Sequence, residues 1–266
     1  MRTMTLGSRE DERCQVTQDA HMQAVESAVQ VMHTHLHEFL TLADLADVAC
    51  LSPFHFNRVF RRLVGIPPGE YLTALRLQAA RHLLLTTSLS VTDICFEVGY
   101  SSPGSFTTRF TQLVGLSPRL LRRRAQEFTL PMPDNGERLP TKPEPIPLKN
   151  TFSGQVSAPA TFRGVINIGL FTRPIPQGAP VRCTRLTAPG PYRLSGVPDG
   201  IYYLLAAAFP LTTDLRSYLL PGENILVHKH ESPLVIINGH ISGERNVMLR
   251  PPRLTDPPLV MELPLR

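Results

Sequence analysis

Lysine is almost missing from this sequence. Of 27 basic residues only Lys142, Lys149 and Lys229 are lysine; the other 24 are arginine. A GC-rich genome produces such a bias without any functional demand. Cysteine is scarce and scattered. Cys14, Cys50, Cys95 and Cys183 form no Cys-x-x-Cys pair, which argues against a disulfide framework or a thiolate zinc site and fits reduced thiols. No stretch approaches the roughly 18 apolar residues of a membrane span. The segment from Met1 to Asp19 mixes Arg2, Arg9 and Arg13 with Glu10, Asp11 and Glu12, and it lacks the apolar stretch of a secretory signal. These absences lead us to expect a soluble cytoplasmic protein with no membrane partner. The net charge of +5 and pI of about 9.3 over 266 residues permit an anionic partner without proving one.

Proline divides the chain. Five prolines precede residue 129, six fall between Pro131 and Pro147, and fifteen follow. The middle segment can hold neither a helix nor a central strand and reads as an extended linker. We therefore expect a disordered tail over residues 1–20, a helical domain over 21–128, a linker over 129–150 and a β-rich domain over 151–266. In the helical part, Ala24, Val25, Ala28, Val31, Met32, His35 and Phe39 keep helical spacing from about Met22. Thr41, Ser52, Ser90 and Ser102 stand as N-caps, the second and fourth backed by Pro53 and Pro103. Gly65 and Gly115 stand as left-handed C-caps.

The helical part repeats itself. Ala43-Asp44-Leu45-Ala46, Ser52-Pro53, Phe56, Phe60 and Leu63-Val64-Gly65 return as Thr92-Asp93-Ile94-Cys95, Ser102-Pro103, Phe106, Phe110 and Leu113-Val114-Gly115. The offset is 49 residues before the turn and 50 after it, so the second turn holds one extra residue. Each copy reads as a short helix, a tight turn and a second helix: a helix-turn-helix used twice. Leu45/Ile94 and Ala49/Val98 would face the paired phenylalanines, which are core rather than a base-stacking platform. Ala46 and Cys95 match where two helices approach closely, which makes Cys95 a packing thiol. Between the copies, a helix from about Gly69 to Thr86 would span roughly 27 Å. Such a rod can hold two recognition helices on one side of a molecule, and successive major grooves repeat every ~34 Å.

At these residues the sequence resembles the DNA-binding domain of the AraC/XylS family of bacterial transcription regulators. The resemblance covers about residues 22–126. It is carried by Leu42 to Ala46, Leu51 to Arg62, Val64 to Pro68, Arg76, Ala80-Arg81, Leu83-Leu84, Ile94 and Val98 to Pro118. It implies a double helix-turn-helix that binds double-stranded promoter DNA. Many members place this domain after a sensor domain; here it precedes the β-rich half. Many members also have an arginine two residues before the last helix phenylalanine of both units. The first unit keeps it as Arg58, while the second has Thr108 there, with Arg109 beside it.

With Phe56, Phe60 and Leu63 inward, the first recognition helix would present Pro53, Phe54, Asn57, Arg58 and Arg61. Arg58 could bond guanine, Asn57 could read adenine, and Phe54 could lie against a thymine methyl. Arg62 points rather to phosphate. The second helix would present Pro103, Gly104, Thr107, Thr108, Thr111 and Gln112, suited to positioning more than to base reading. Arg119 and Arg122 to Arg124 are further phosphate candidates. Residues 21–128 carry ten arginines against eight acidic residues. Binding would then depend on where the charges sit and would weaken with salt.

In the second half we expect about seven strands: Thr161–Thr172, Val181–Thr187, Tyr192–Leu194, Ile201–Phe209, Ile225–His228, Leu234–Ile237 and Asn246–Leu249. That count and the turn at Val197 to Gly200 favour a β-sandwich. The phrase from Gly190 to Leu204 resembles the carboxypeptidase regulatory-like sandwich, which implies a binding or scaffolding module. His228, His230 and Glu231 lie close in sequence, as do His33 and His37 at metal-binding spacing; a solvated strand edge and a polar helix face are the plainer readings. No nucleophile elbow, phosphate loop or Ser-His-Asp grouping occurs, so we expect no enzyme, no cofactor and no metal. The expected fold is thus multidomain: an all-α double helix-turn-helix domain followed by an all-β sandwich. The expected function is sequence-specific transcription regulation. The alternative is an interaction or architectural protein whose sandwich is the working part. RNA polymerase, a small-molecule effector and a second copy of the chain are the further partners this reading leaves open.

Overall fold

A computed structural model describes residues 6–127, 150–211, 224–230 and 232–260, with side chains from residue 15 onward. The proline-rich segment and Glu231 lie outside the described residues. Seven helices come first: α1 (Leu6–Thr34), α2 (Leu42–Val48), α3 (Pro53–Val64), α4 (Pro68–Thr86), α5 (Val91–Glu97), α6 (Pro103–Val114) and α7 (Pro118–Glu127). Nine strands follow: β1 (Phe152–Ser157), β2 (Gly164–Phe171), β3 (Arg182–Leu186), β4 (Pro191–Leu194), β5 (Gly200–Pro210), β6 (Leu226–Lys229), β7 (Leu234–Ile237), β8 (His240–Ser242) and β9 (Val247–Met248).

Side-chain capping sets where the short helices begin. Thr41 and Asp44 exchange bonds at the start of α2 (2.7 and 3.2 Å), and Ser90 and Asp93 do the same at α5 (3.2 and 3.1 Å). Each pair satisfies two amide groups that a helix start leaves orphaned. Ser52 and Ser102 cap α3 and α6, with proline at the first helical position. Both recognition helices end on a left-handed glycine, Gly65 at φ 91° and Gly115 at φ 99°.

The helices share one core, with Phe56, Phe60, Phe106 and Phe110 wholly buried. In each unit the two phenylalanine rings meet edge-on or tilted, at 5.5 and 5.6 Å between centroids. Ala46 and Cys95 are both fully buried, as the need for close helix approach requires.

Two expectations about α1 are corrected. It begins at Leu6 rather than near Met22. Side chains 15–20 are exposed, so no apolar face announces that stretch; the helix continues outward from its packed part, helped by a Gln15–Asp19 bond of 3.1 Å. It also stops at Thr34, and Phe39 is 90% exposed. The segment after it is held in a turn by Arg76, whose guanidinium donates to Leu36 O (2.7 Å) and Glu38 O (2.6 Å). His33 and His37 therefore do not share a helix face.

The β-rich region has two sheets. One has the order β4-β1-β9, with β1 and β9 parallel; the other has the order β3-β2-β5-β7-β8, with β6 also paired to β5. The long strand β5 makes this possible, pairing β7 at its start and β6 further on along the same edge. Phe152, Tyr192, Leu194 and Val247 of the first sheet share a core with Ile166, Ile168, Leu204 and Ile236 of the second. Sequence reading missed β1 and β8. The first carries Ser, Gly and Gln among its few apolar residues, and the second is three residues long. His228 and His230 stack edge-on at 4.4 Å and lie against the backbone of Met248 and Asn246. Among the described residues no cluster of three metal-ligating side chains occurs.

Candidate nucleic-acid interface

Burial sorts each recognition helix into an inner and an outer face. On α3, Phe56, Val59, Phe60 and Val64 face the core. Pro53, Phe54, Arg58, Arg61 and Arg62 are exposed, and Asn57 is partly so. Phe54, at the leading end of the helix, is 81% exposed. On α6, Phe106, Phe110 and Val114 face inward. Gly104, Thr108, Thr111 and Gln112 are exposed, with Pro103 and Thr107 partly so. A shallow hollow runs along this face, lined by Tyr100, Gly104, Ser105, Thr108, Arg109 and Gln112. All twelve residues singled out from the sequence thus reach the surface of their helices.

The arginines do not all stand alike. Arg62 Nη2 lies 3.2 Å from His21 Nδ1 on α1, and the His21 ring packs edge-on against His55 at 5.4 Å. Burial lowers the His21 pKa, and the positive charges of Arg62, His55 and Arg58 lower it further. A neutral His21 can accept from Arg62 and hold it. Arg122 is turned inward, its Nε donating to Leu84 O at 3.0 Å near the end of α4. It ties α7 to α4, whereas Arg119 and Arg123 remain exposed.

Two further arginines matter for the shape of the site. Arg76 links α4 to the turn after α1, beside the turn between α5 and α6. There Gly99 adopts φ 81°, and a Cβ on it would meet the carbonyl oxygens of Leu36 and His37 at 2.8 and 2.9 Å. Arg81 is buried to 2% exposure on α4, and its Nη1 donates to Leu259 O (2.9 Å) and Val260 O (3.3 Å). A charged residue within the apolar pattern of α4 is the only sequence signal for either, and it does not name the partner.

The geometry is that of a double helix-turn-helix module: two capped units on one connecting helix, each offering an open recognition surface. Residues 45–124 match the family model described as "Helix-turn-helix domain". Among curated proteins, the HTH-type transcriptional activator AarP of Providencia stuartii is 41% identical over 83 residues, covering 31% of this chain and 62% of that protein. The HTH-type transcriptional activator RhaS of Enterobacter sp. (strain 638) is 37% identical over 92 residues, covering 35% of this chain and 33% of that protein. Residues 45–124 are an AraC-type helix-turn-helix domain. The chain spans less than two thirds of the length of these relatives. A solved transcriptional regulator from Chromobacterium violaceum, described as AraC-type, aligns at 30% identity over 39% of this chain and 93% of that one, with a TM-score of 0.38. No helix of the described residues is long and apolar enough to cross a membrane.

Proposed function

We propose that this protein is a sequence-specific, DNA-binding transcription regulator that acts in the cytoplasm and works by binding rather than by catalysis. One observation carries the reading. The leading halves of α3 and α6 are exposed at matching positions, while their inner faces are locked into one core. Recognition helices of this kind read base edges from their leading residues. Arg58 bonds guanine in a bidentate fork, Asn57 reads adenine and Phe54 covers a thymine methyl. On α6, Pro103, Gly104, Thr107, Thr108, Thr111 and Gln112 bring the backbone close and fix register more than sequence. Arg61, Arg119 and Arg123 meet phosphates, and Arg62, held to His21 through Nη2, keeps its other N–H groups for one. The similarity to AarP and RhaS, both transcriptional activators, supports the same conclusion.

The test is a genome-fragment binding selection with the full chain, followed by fluorescence anisotropy on the best site. A discrete site should emerge, and Arg58→Ala should weaken it by about 1–3 kcal/mol while relaxing one base position. Uniformly weak, sequence-blind binding would sink the proposal.

A further inference from the structure

The β-rich region touches the helical domain at unusual places. Lys229, at the end of β6, donates from Nζ to Val64 O at 2.5 Å. Val64 is the last residue of α3. Gly178, in the connection between β2 and β3, donates its N–H to Leu113 O at 2.6 Å. Leu113 lies in the last turn of α6. The same region thus holds the trailing ends of both recognition helices. Those ends expose carbonyl groups and carry the negative end of the helix dipole, so an ammonium at one and an amide N–H at the other are the matching partners.

The connecting helix is gripped as well. Tyr71 donates its hydroxyl to Leu254 O at 2.7 Å, and Arg81 holds the carbonyls of Leu259 and Val260. Ile175 and Val260 are buried within the helical core itself, 1% and 0% exposed. Arg173 forms an ion pair with Glu70 on the first turn of α4. The gripping segment is itself fastened: Arg250 and Asp256 form a two-bond fork at 2.7 and 2.8 Å. None of this covers the leading halves of α3 and α6, where Phe54, Arg58, Gly104 and Thr108 stay exposed.

We infer that the β-rich region is a brace that sets the spacing and tilt of the two recognition helices, with Lys229, Tyr71 and the 173–178 loop as positioning residues. This rests on the DNA-binding reading for its consequence: the protein would select operators by the distance between half-sites as well as by their sequence. One added base pair shifts a half-site by about 3.4 Å and rotates it by about a tenth of a turn. A braced pair of helices cannot follow that shift, and an unbraced pair can.

The experiment uses the full chain with Lys229→Met, Tyr71→Phe and the double variant; Lys229→Arg serves as the conservative control. Anisotropy is read on duplexes carrying the selected site with one or two base pairs inserted or removed between half-sites. The wild type and Lys229→Arg should prefer the native spacing on the order of tenfold, and the double variant should fall below about threefold. A second readout needs no DNA. Nitroxide labels on Cys50 and on Gln112→Cys, in a Cys14→Ser, Cys183→Ser background, report the distance between the units by pulsed electron resonance. The distribution should be narrow in the wild type and broaden in the double variant. A narrow distribution unchanged in the double variant overturns the brace, whatever the DNA result. A wild type that binds no duplex yet shows the variant-sensitive distance sinks the DNA-binding reading and supports the brace.

Discussion

The two helix-turn-helix units are built alike and finished differently. Both start on a hydroxyl–aspartate capping box, pack a phenylalanine pair into the common core, and end on a left-handed glycine. Their turns then diverge. The first passes through Cys50 at φ 52°, on the exposed side; the second passes through Gly99 at φ 81°, pressed against two carbonyl oxygens. Their outer faces diverge further. The first carries Arg58, Arg61 and Arg62, and the second carries hydroxyls, a glycine and a glutamine with one neighbouring arginine. The lesson is that repetition preserves what the core and the helix ends demand. The faces turned to a partner are free to take separate tasks.

The comparison can be broken first at the core. If the units are equivalent supports, Phe60→Ala and Phe110→Ala should each destabilise the protein by about 3–5 kcal/mol, measured by urea unfolding. A large imbalance would show that one unit carries the fold and the other leans on it. The turns come next. Gly99→Ala forces a side chain into a left-handed backbone and against Leu36 O and His37 O, and should cost about 2–4 kcal/mol. The matching change Cys50→Gly should alter stability by less than about 1 kcal/mol, because glycine relieves strain there but gains freedom in the unfolded chain.

The partner-facing surfaces give a smaller contrast. Under the proposed function, Arg58→Ala should weaken binding of the selected site by about 1–3 kcal/mol, and Thr108→Ala by less than about 1 kcal/mol. Equal losses in anisotropy would refute the division into a reading unit and a positioning unit. The smallest effect is electrostatic and belongs to the first unit alone. Burial and then the Arg62, His55 and Arg58 charges depress the His21 pKa, so its folded value lies below the ordinary 6.5 of the unfolded chain. The neutral ring is favoured above that ordinary value, and its contribution fades as pH falls through the folded pKa. An NMR titration of His21 should have its midpoint below 6.5, and Arg62→Ala should move it part of the way back.

Much of the helical half was legible because its signals are local. Ser52-Pro53, Ser102-Pro103, Gly65 and Gly115 mark helix ends by backbone chemistry that needs no distant partner. The 49- and 50-residue offsets exposed the duplication, and the amphipathic pattern separated Phe56 and Phe60 from Asn57 and Arg58. Residues 15–20 of α1 escaped because their side chains are exposed and form no apolar face. Phe39 misled for the opposite reason: it kept the helical spacing, but Arg76 captures the backbone at Leu36 and Glu38 and turns the chain away. In the β-rich half the long apolar strand β5 was plain, whereas β1 and β8 depend on neighbours supplied from far along the chain.

The sequence by itself determined that there are two units, where their helices begin and end, and which side chains turn outward from each recognition helix. Those outcomes follow from periodicity, capping and glycine geometry within a few residues. Only the tertiary structure decided that Arg62 is held by His21, that Arg122 is an internal tie, and that Lys229 and Gly178 grip the far ends of α3 and α6. Lys229 meets Val64 across 165 positions of chain. A single ammonium and a single backbone amide leave no periodic trace in the sequence, and which carbonyl each one reaches is settled by how the two regions pack.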